Sequence, residues 1–233
     1  MPLGEISDLG KRLDKLNEAI DEALKVSLRN RSGLTLVAVS KRQPRVAVKQ
    51  AYDLGLREFG ESQIQEAVPK SKCLPEDIIW HFIGHLQKNK VRKAVQHFEY
   101  IHSIDSLSLL QRVDKIAAEE RVKPKVFLQV NYALDPDKFG LHPEAVETVL
   151  EAAFDLTHIE CIGLMGIPPL DYQDARCETY FGGIAELRDK LKERFPEWPG
   201  KLSIGMSSDF ACAIKQGSNF IRVGSSLFGE RPS

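Results

Sequence analysis

The stretch TLVAVSKRQPRVAVKQAYDLGLREFG, residues 35–60, holds one complete strand–helix–strand unit. TLVAVS (35–40) is a short apolar run rich in β-branched residues, residues 46–54 take helical spacing, and REFG (57–60) begins the next extended run. The same alternation then repeats through IIWHFIG (78–84), YIHSID (100–105), KVFLQVN (125–131), IECIGLMGI (159–167), KLSIGMS (201–207) and FIRVG (220–224). Helical stretches fill the gaps at 64–68, 88–95, 107–120, 144–153, 176–194 and 210–216. Strands that alternate with helices predict a parallel sheet, because each return to the same sheet edge needs a crossover. The runs are short and mostly continuous in apolar character, as expected when both faces of the sheet are covered.

Closing eight such units gives an α/β fold, a single (β/α)8 TIM barrel. An open doubly wound sheet is the second reading, but the GxGxxG turn usual in that fold is absent after Val39. Ahead of the first strand, Leu9, Leu13, Leu16, Ile20 and Leu24 recur at spacings of three and four, predicting an amphipathic helix over 6–28 that Asn30 and Gly33 stop. The expected organisation is one domain over 1–233, with residues 1–30 as an extra N-terminal helix.

Composition narrows the function classes. Lysine plus arginine (32) nearly cancel aspartate plus glutamate (33), for a net charge of -1. That balance argues against a general nucleic-acid binder and leaves room for a local basic pocket. Cys73, Cys161, Cys177 and Cys212 lie far apart without metal-site spacing, and read as reduced thiols of a cytoplasmic protein. The amino terminus lacks the apolar core of a signal peptide, and no apolar run reaches the ~20 residues needed to span a bilayer. A cytoplasmic protein with no membrane partner is therefore expected.

Active sites of such barrels sit at the carboxyl ends of the strands. Lys41 directly follows TLVAVS. Desolvation at the end of a buried strand would lower its pKa and free the neutral amine that a Schiff base needs. By position alone a surface lysine beside Arg42 and Arg45 is the commoner reading, since a lone lysine is no motif. The loops after the seventh and eighth strands, GMSSD (205–209) and RVGSSLFG (222–229), combine glycine with serine. Glycine admits close backbone approach to an anion and serine adds a hydroxyl donor, so these loops read as a phosphate cup or as ordinary turns. A lysine after strand one and a phosphate cup after strands seven and eight would be neighbours across a closed barrel. That pairing suits an aldehyde cofactor with a phosphate tail.

Other patterns are weaker. His81 and His85 have the spacing of a zinc pair, yet lie on a strand and its turn with no glutamate between them, so no metal is expected. GMSSD lacks the second glycine of a nucleophile elbow. Arg222 reads either as a buried ion-pair residue or as a residue facing a cofactor, while His102, Met165 and Asn131 read as mouth or packing residues.

VAVSK (37–41), FGESQIQE (59–66), WHFIGHLQKNK (80–90), SIDS (103–106), QVN (129–131), KFG (138–140), GLMGIPP (163–169), GMSSDF (205–210) and IRVGSSLFGERP (221–232) occur in this order. In them the chain resembles the pyridoxal phosphate homeostasis proteins, the YggS/PROSC family, from about residue 36 to 232. The resemblance implies the barrel of the alanine racemase amino-terminal domain, with pyridoxal 5'-phosphate as cofactor and no established catalytic activity. It implies that Lys41 holds the cofactor as a Schiff base, that Ser207, Gly224 and Ser225 hold its phosphate, and that Arg222 lies near the pyridine nitrogen. Ser62 departs from the family's usual FGEN, and His85 is assigned no role. An arginine beside the ring nitrogen favours the unprotonated ring, which stabilises carbanions weakly.

The implied function is vitamin B6 homeostasis: buffering pyridoxal phosphate or delivering it to pyridoxal-phosphate-dependent apoenzymes, with effects on amino-acid and keto-acid balance. The alternatives are an amino-acid racemase of the alanine racemase type and a phosphate-handling barrel enzyme without this cofactor. Two-base racemisation needs an acid/base group on each substrate face. In alanine racemase the opposing tyrosine comes from a β-rich second domain and the dimer partner. The sequence ends after the last barrel turn, so the expectation is a monomer without that base.

Overall fold

Eight strands appear in a computed structural model that describes residues 3–172 and 175–229. They are β1 (Thr35–Val39), β2 (Glu58–Glu61), β3 (Ile79–Phe82), β4 (Tyr100–Ile104), β5 (Lys125–Gln129), β6 (Glu160–Met165), β7 (Lys201–Met206) and β8 (Phe220–Val223). All neighbours are parallel, in the order β1 to β8, and β8 closes onto β1. The expected TIM barrel is therefore the fold. The first two residues of the expected leading segment 1–30, and the ERP that ends the last motif, lie outside the described residues.

Around the barrel lie α1 (Leu3–Val26), α2 (Arg45–Asp53), α3 (Ile64–Ser71), α4 (Val91–Val95), α5 (Leu107–Glu120), α6 (Val146–Ala153), α7 (Ala175–Arg194), α8 (Phe210–Lys215) and α9 (Ser225–Phe228). The larger apolar core lies between strands and helices, and a smaller one of Val37, Phe127, Ile162, Met165 and Phe220 fills part of the barrel interior. Gly163 permits β6 and β7 to pair, since a Cβ there would stand 1.9 Å from the Lys201 carbonyl oxygen.

Helix α1 buries Leu9, Leu13, Leu16, Ile20 and Leu24, the five residues its periodicity selects. It packs on α8 and α9, the helices that follow β7 and β8. Arg12 Nε donates to the Leu227 carbonyl at 2.9 Å, and Arg29 donates to those of Ile214 and Ser218 at 2.8 and 2.6 Å. The helix stops at Val26 rather than residue 28, because Leu28 takes a left-handed φ of 54° that turns Arg29 back toward α8. Expected helix 88–95 divides into a 3-10 turn, Lys88–Lys90, and α4. Expected helix 64–68 runs on to Ser71 despite Pro69, since buried Lys70 is anchored beneath the end of β1. That tertiary anchor outweighs the local cost of proline.

Candidate functional site

Closure of β8 onto β1 sets Ala38 beside Val223, so the residues that follow, Lys41 and Gly224, emerge together at the carboxyl end of the barrel. A cavity of about 400 Å³ opens there, lined by Val39, Lys41, Ile83, Ile167, Met206, Ser207, Ser208, Arg222, Gly224, Ser225 and Ser226. All five residues selected from the sequence, Lys41, Ser207, Arg222, Gly224 and Ser225, share this one cavity.

The backbone around Lys41 is held from below by buried charges. Lys70 Nζ donates to the Ser40 carbonyl and to Glu61 Oε1, each at 2.8 Å, and to Glu66 Oε1 at 2.5 Å. Ser40 Oγ donates to the same Glu61 oxygen at 2.7 Å, and Glu66 accepts the Arg42 N–H at 2.5 Å. Both neighbours of Lys41 are thus tied to one ionic cluster, and Arg42 takes a left-handed φ of 61° in the turn. Burial pushes the Glu61 carboxyl up, against the pull of Lys70 and Ser40.

At the opposite wall, Ser207 Oγ accepts the N–H groups of Gly224 at 3.2 Å and Ser226 at 3.4 Å, joining the loops after β7 and β8. The Ser207 hydroxyl proton remains available to a ligand oxygen. Asp209 Oδ1 accepts the Met206 N–H at 2.6 Å and fixes the first loop. Gly205, at φ +96°, makes that turn, and a Cβ there would meet the Ala213 Cβ at 2.6 Å. At Gly224 an added Cβ would come within 3.3 Å of the Val39 carbonyl oxygen, narrowing the cup.

Arg222 forms the floor. One guanidinium nitrogen donates to the Ser203 carbonyl and hydroxyl at 2.5 and 2.7 Å, and the other donates to the Gly166 carbonyl at 2.9 Å. Burial lowers its pKa to about 10, so it stays cationic at neutral pH. The donor set is one amine, one guanidinium, four serine hydroxyls and backbone N–H groups, with Val39, Ile83, Ile167 and Met206 as apolar walls. This fits a flat aromatic aldehyde carrying a phosphate, and the volume lies within the roughly 300–1,000 Å³ usual for small-ligand sites.

The family profile of the alanine racemase N-terminal domain matches residues 13–232. A pyridoxal phosphate homeostasis protein of Synechocystis is 39% identical over 198 residues, 84% of this chain and 91% of that one. Another from Aquifex aeolicus is 34% identical over 222 residues, 95% and 97% of the two chains. The chain belongs to the pyridoxal phosphate homeostasis protein family. PipY of Synechococcus elongatus has a solved structure with pyridoxal phosphate bound. It is 38% identical, with a TM-score of 0.84 over 95% of this chain and all of PipY.

Other residues weighed from the sequence fall outside the cavity wall. Met165 is fully buried packing inside the barrel. His102 lies in the barrel interior, not at the mouth, hydrogen-bonded to His81 and Ser203. Asn131 shapes the loop after β5 through the backbone of Asp135 and Lys138. His81 and His85 do not share a site, for His85 stacks on Phe139 at 3.6 Å and faces Asp105 at 3.2 Å. Ser62 packs closely on the next loop, where a Gly84 Cβ would stand 2.2 Å from its carbonyl oxygen. No disulfide links the four cysteines. Among the described residues no helix is long and apolar enough to cross a membrane, and no metal-ligand cluster occurs.

Sequence reasoning missed the Lys70–Glu61–Glu66 cluster, since nothing in the spacing of these residues marks them as contacts of Ser40. It also left Ser208 and Ser226 off the site, although each is the second serine of a Ser-Ser pair and is signalled as plainly as Ser207 and Ser225.

Proposed function

We propose that this chain binds pyridoxal 5'-phosphate reversibly and serves its homeostasis rather than catalysis. The observation that carries the reading is the single cavity shared by Lys41, Arg222 and the serine loops. Lys41 attaches the aldehyde carbon through its amine, while Ser207, Ser225 and the Gly224 backbone hold the phosphate. Arg222, fixed by two carbonyls, faces the ring nitrogen. Bound pyridoxal phosphate supplies an electron-withdrawing ring whose pull depends on protonation of that nitrogen. A fixed guanidinium opposes such protonation, which favours holding the cofactor over demanding chemistry.

Among the described residues lining the cavity, Lys41 is the one side chain of the amine, imidazole, carboxyl, thiol or phenol kinds that serve as catalytic bases. A two-base racemase needs a second such group, and this supports the carrier reading. The alanine racemase of Clostridium difficile, at 16% identity and a TM-score of 0.73, shares the fold alone. On this reading one domain, residues 1–233, works as a cytoplasmic monomer. It buffers pyridoxal phosphate or passes it to apoenzymes, and through them shifts amino-acid and keto-acid balance.

The test is to titrate the purified protein with pyridoxal phosphate, reduce with borohydride and map the added mass. Modification of Lys41 at one per chain, with no amino-acid racemisation, is expected. Absence of binding, attachment elsewhere, or rapid racemisation by the unmodified protein overturns the proposal.

A further inference from the structure

A row of hydrogen bonds crosses the barrel interior from its floor to the cavity. At the floor, Glu58 opens β2 with its side chain 26% exposed, and its Oε2 lies 2.6 Å from His81 Nε2. His81 Nδ1 stands 2.9 Å from His102 Nε2, and His102 Nδ1 stands 2.7 Å from Ser203 Oγ. Ser203 Oγ in turn accepts from Arg222 at 2.7 Å. His81, His102 and Ser203 are fully buried, and Arg222 nearly so.

The chemistry of these groups allows one direction of donation. Glu58 can only accept, which fixes the row from its end, and Arg222 can only donate, so Ser203 Oγ accepts there while its own proton is left for His102 Nδ1. His102 is then protonated on Nε2 and donates to His81 Nδ1. His81 is likewise protonated on Nε2 and donates to the Glu58 carboxylate. Reversing one link alone would aim two donors or two acceptors at one another, and reversing the whole row would set the bare His81 Nε2 against the Glu58 carboxylate at 2.6 Å. Burial lowers the pKa of both imidazoles, His102 further because His81 and Arg222 add to it. Each ring is thus neutral, with one donor and one acceptor nitrogen. Glu99 and Lys125 act on His81 with opposite sign, and Tyr100 stacks on it at 4.4 Å.

We propose that Glu58 is a positioning residue for the cofactor site, acting on Arg222 across the barrel through the relay His81–His102–Ser203. The carboxylate on the floor selects the tautomer of both histidines. Those tautomers make Ser203 Oγ a donor toward His102 and leave its lone pairs to Arg222. The relay's last step, from Arg222 to cofactor, rests on the function proposed above. The earlier links do not.

The experiment compares the wild type with Glu58→Leu, Glu58→Gln and Ser203→Ala by nitrogen-15 NMR of the histidine rings and the Arg222 guanidinium, in cofactor-free protein. Both imidazoles should be Nε2–H in the wild type. Glu58→Gln keeps an acceptor carbonyl and should keep those tautomers. Glu58→Leu leaves His81 Nε2–H without an acceptor and should convert both rings to Nδ1–H. Ser203 Oγ then accepts from both His102 and Arg222, so hydrogen exchange of the Arg222 guanidinium should speed up roughly threefold to tenfold as that bond weakens. In cofactor titrations the dissociation constant should rise roughly threefold to tenfold in Glu58→Leu. The same change added to Ser203→Ala, where the relay is already cut, should have less than about a twofold effect.

An Nδ1–H ring in the wild type overturns the relay by itself, even if Glu58→Leu fails to fold. Unchanged tautomers or unchanged Arg222 exchange in folded Glu58→Leu also overturn it, as does full additivity with Ser203→Ala. If the wild type binds no pyridoxal phosphate, the proposed function fails and the relay is judged on the NMR readouts alone.

Discussion

Replacing Lys70 by methionine removes the ammonium that joins Ser40, Glu61 and Glu66 beneath Lys41 while keeping a side chain of similar length. Lys70 and Glu61 are 6% and 0% exposed, so the pair is out of water. Glu61 Oε2 already has no hydrogen-bond partner among the described residues, and after the change Oε1 keeps only the Ser40 hydroxyl. Breaking a buried pair by removing one partner costs about 3–5 kcal/mol, a large part of a typical total of about 5–15 kcal/mol. The carboxylate can escape part of that cost by taking a proton. Burial already raises its pKa in the wild type, and loss of Lys70 removes the main opposing influence.

The sign follows from linkage. A folded carboxyl whose pKa lies above its unfolded value binds more protons than the unfolded chain between the two values. Stability therefore falls as pH rises through that window, which starts at the ordinary value of 4.5 and extends upward. Lys70→Met should lose about 3–5 kcal/mol at pH 8 and markedly less at pH 5. Urea unfolding at both pH values, against the wild type at each, measures the difference. A loss below about 1 kcal/mol at pH 8, or an equal loss at both pH values, would refute the buried-charge account. Lys70→Met together with Glu61→Leu should recover much of the stability, because the stranded charge is gone.

Lys41→Ala should abolish borohydride-trapped attachment of pyridoxal phosphate while leaving the unfolding transition in place; retention of an adduct at one per chain would move the attachment site elsewhere. Ser207→Ala and Ser225→Ala should each raise the cofactor dissociation constant roughly tenfold or more, since a hydrogen bond to a charged group contributes ~1.5–3 kcal/mol, and equilibrium titration checks this. Gly163→Ala should cost about 3 kcal/mol or more by denaturant unfolding, as the added methyl collides with the Lys201 carbonyl on the neighbouring strand. Of the thiols, exposed Cys73 should react first with a thiol reagent. Half-buried Cys161, its pKa pushed up to about 12 by burial, should react far more slowly, as mass spectrometry of timed samples can show.

Local sequence determines a good deal of this protein. Period and run length mark all eight strands, because a strand buried on both faces must be short and apolar wherever it stands. The spacing of Leu9, Leu13, Leu16, Ile20 and Leu24 likewise fixes which face of α1 is buried. Placing Lys41 and the serine loops in one cavity needs only the further premise that the barrel closes, since closure makes the first and last strands neighbours. What the sequence does not contain is the partner of each buried polar group. Lys70 meets Ser40 30 positions away and His102 meets Ser203 101 positions away. No spacing rule connects residues at such distances. Those pairings are decided in the folded barrel, where burial strips water from every polar atom and each must find the donor or acceptor that packing brings within reach.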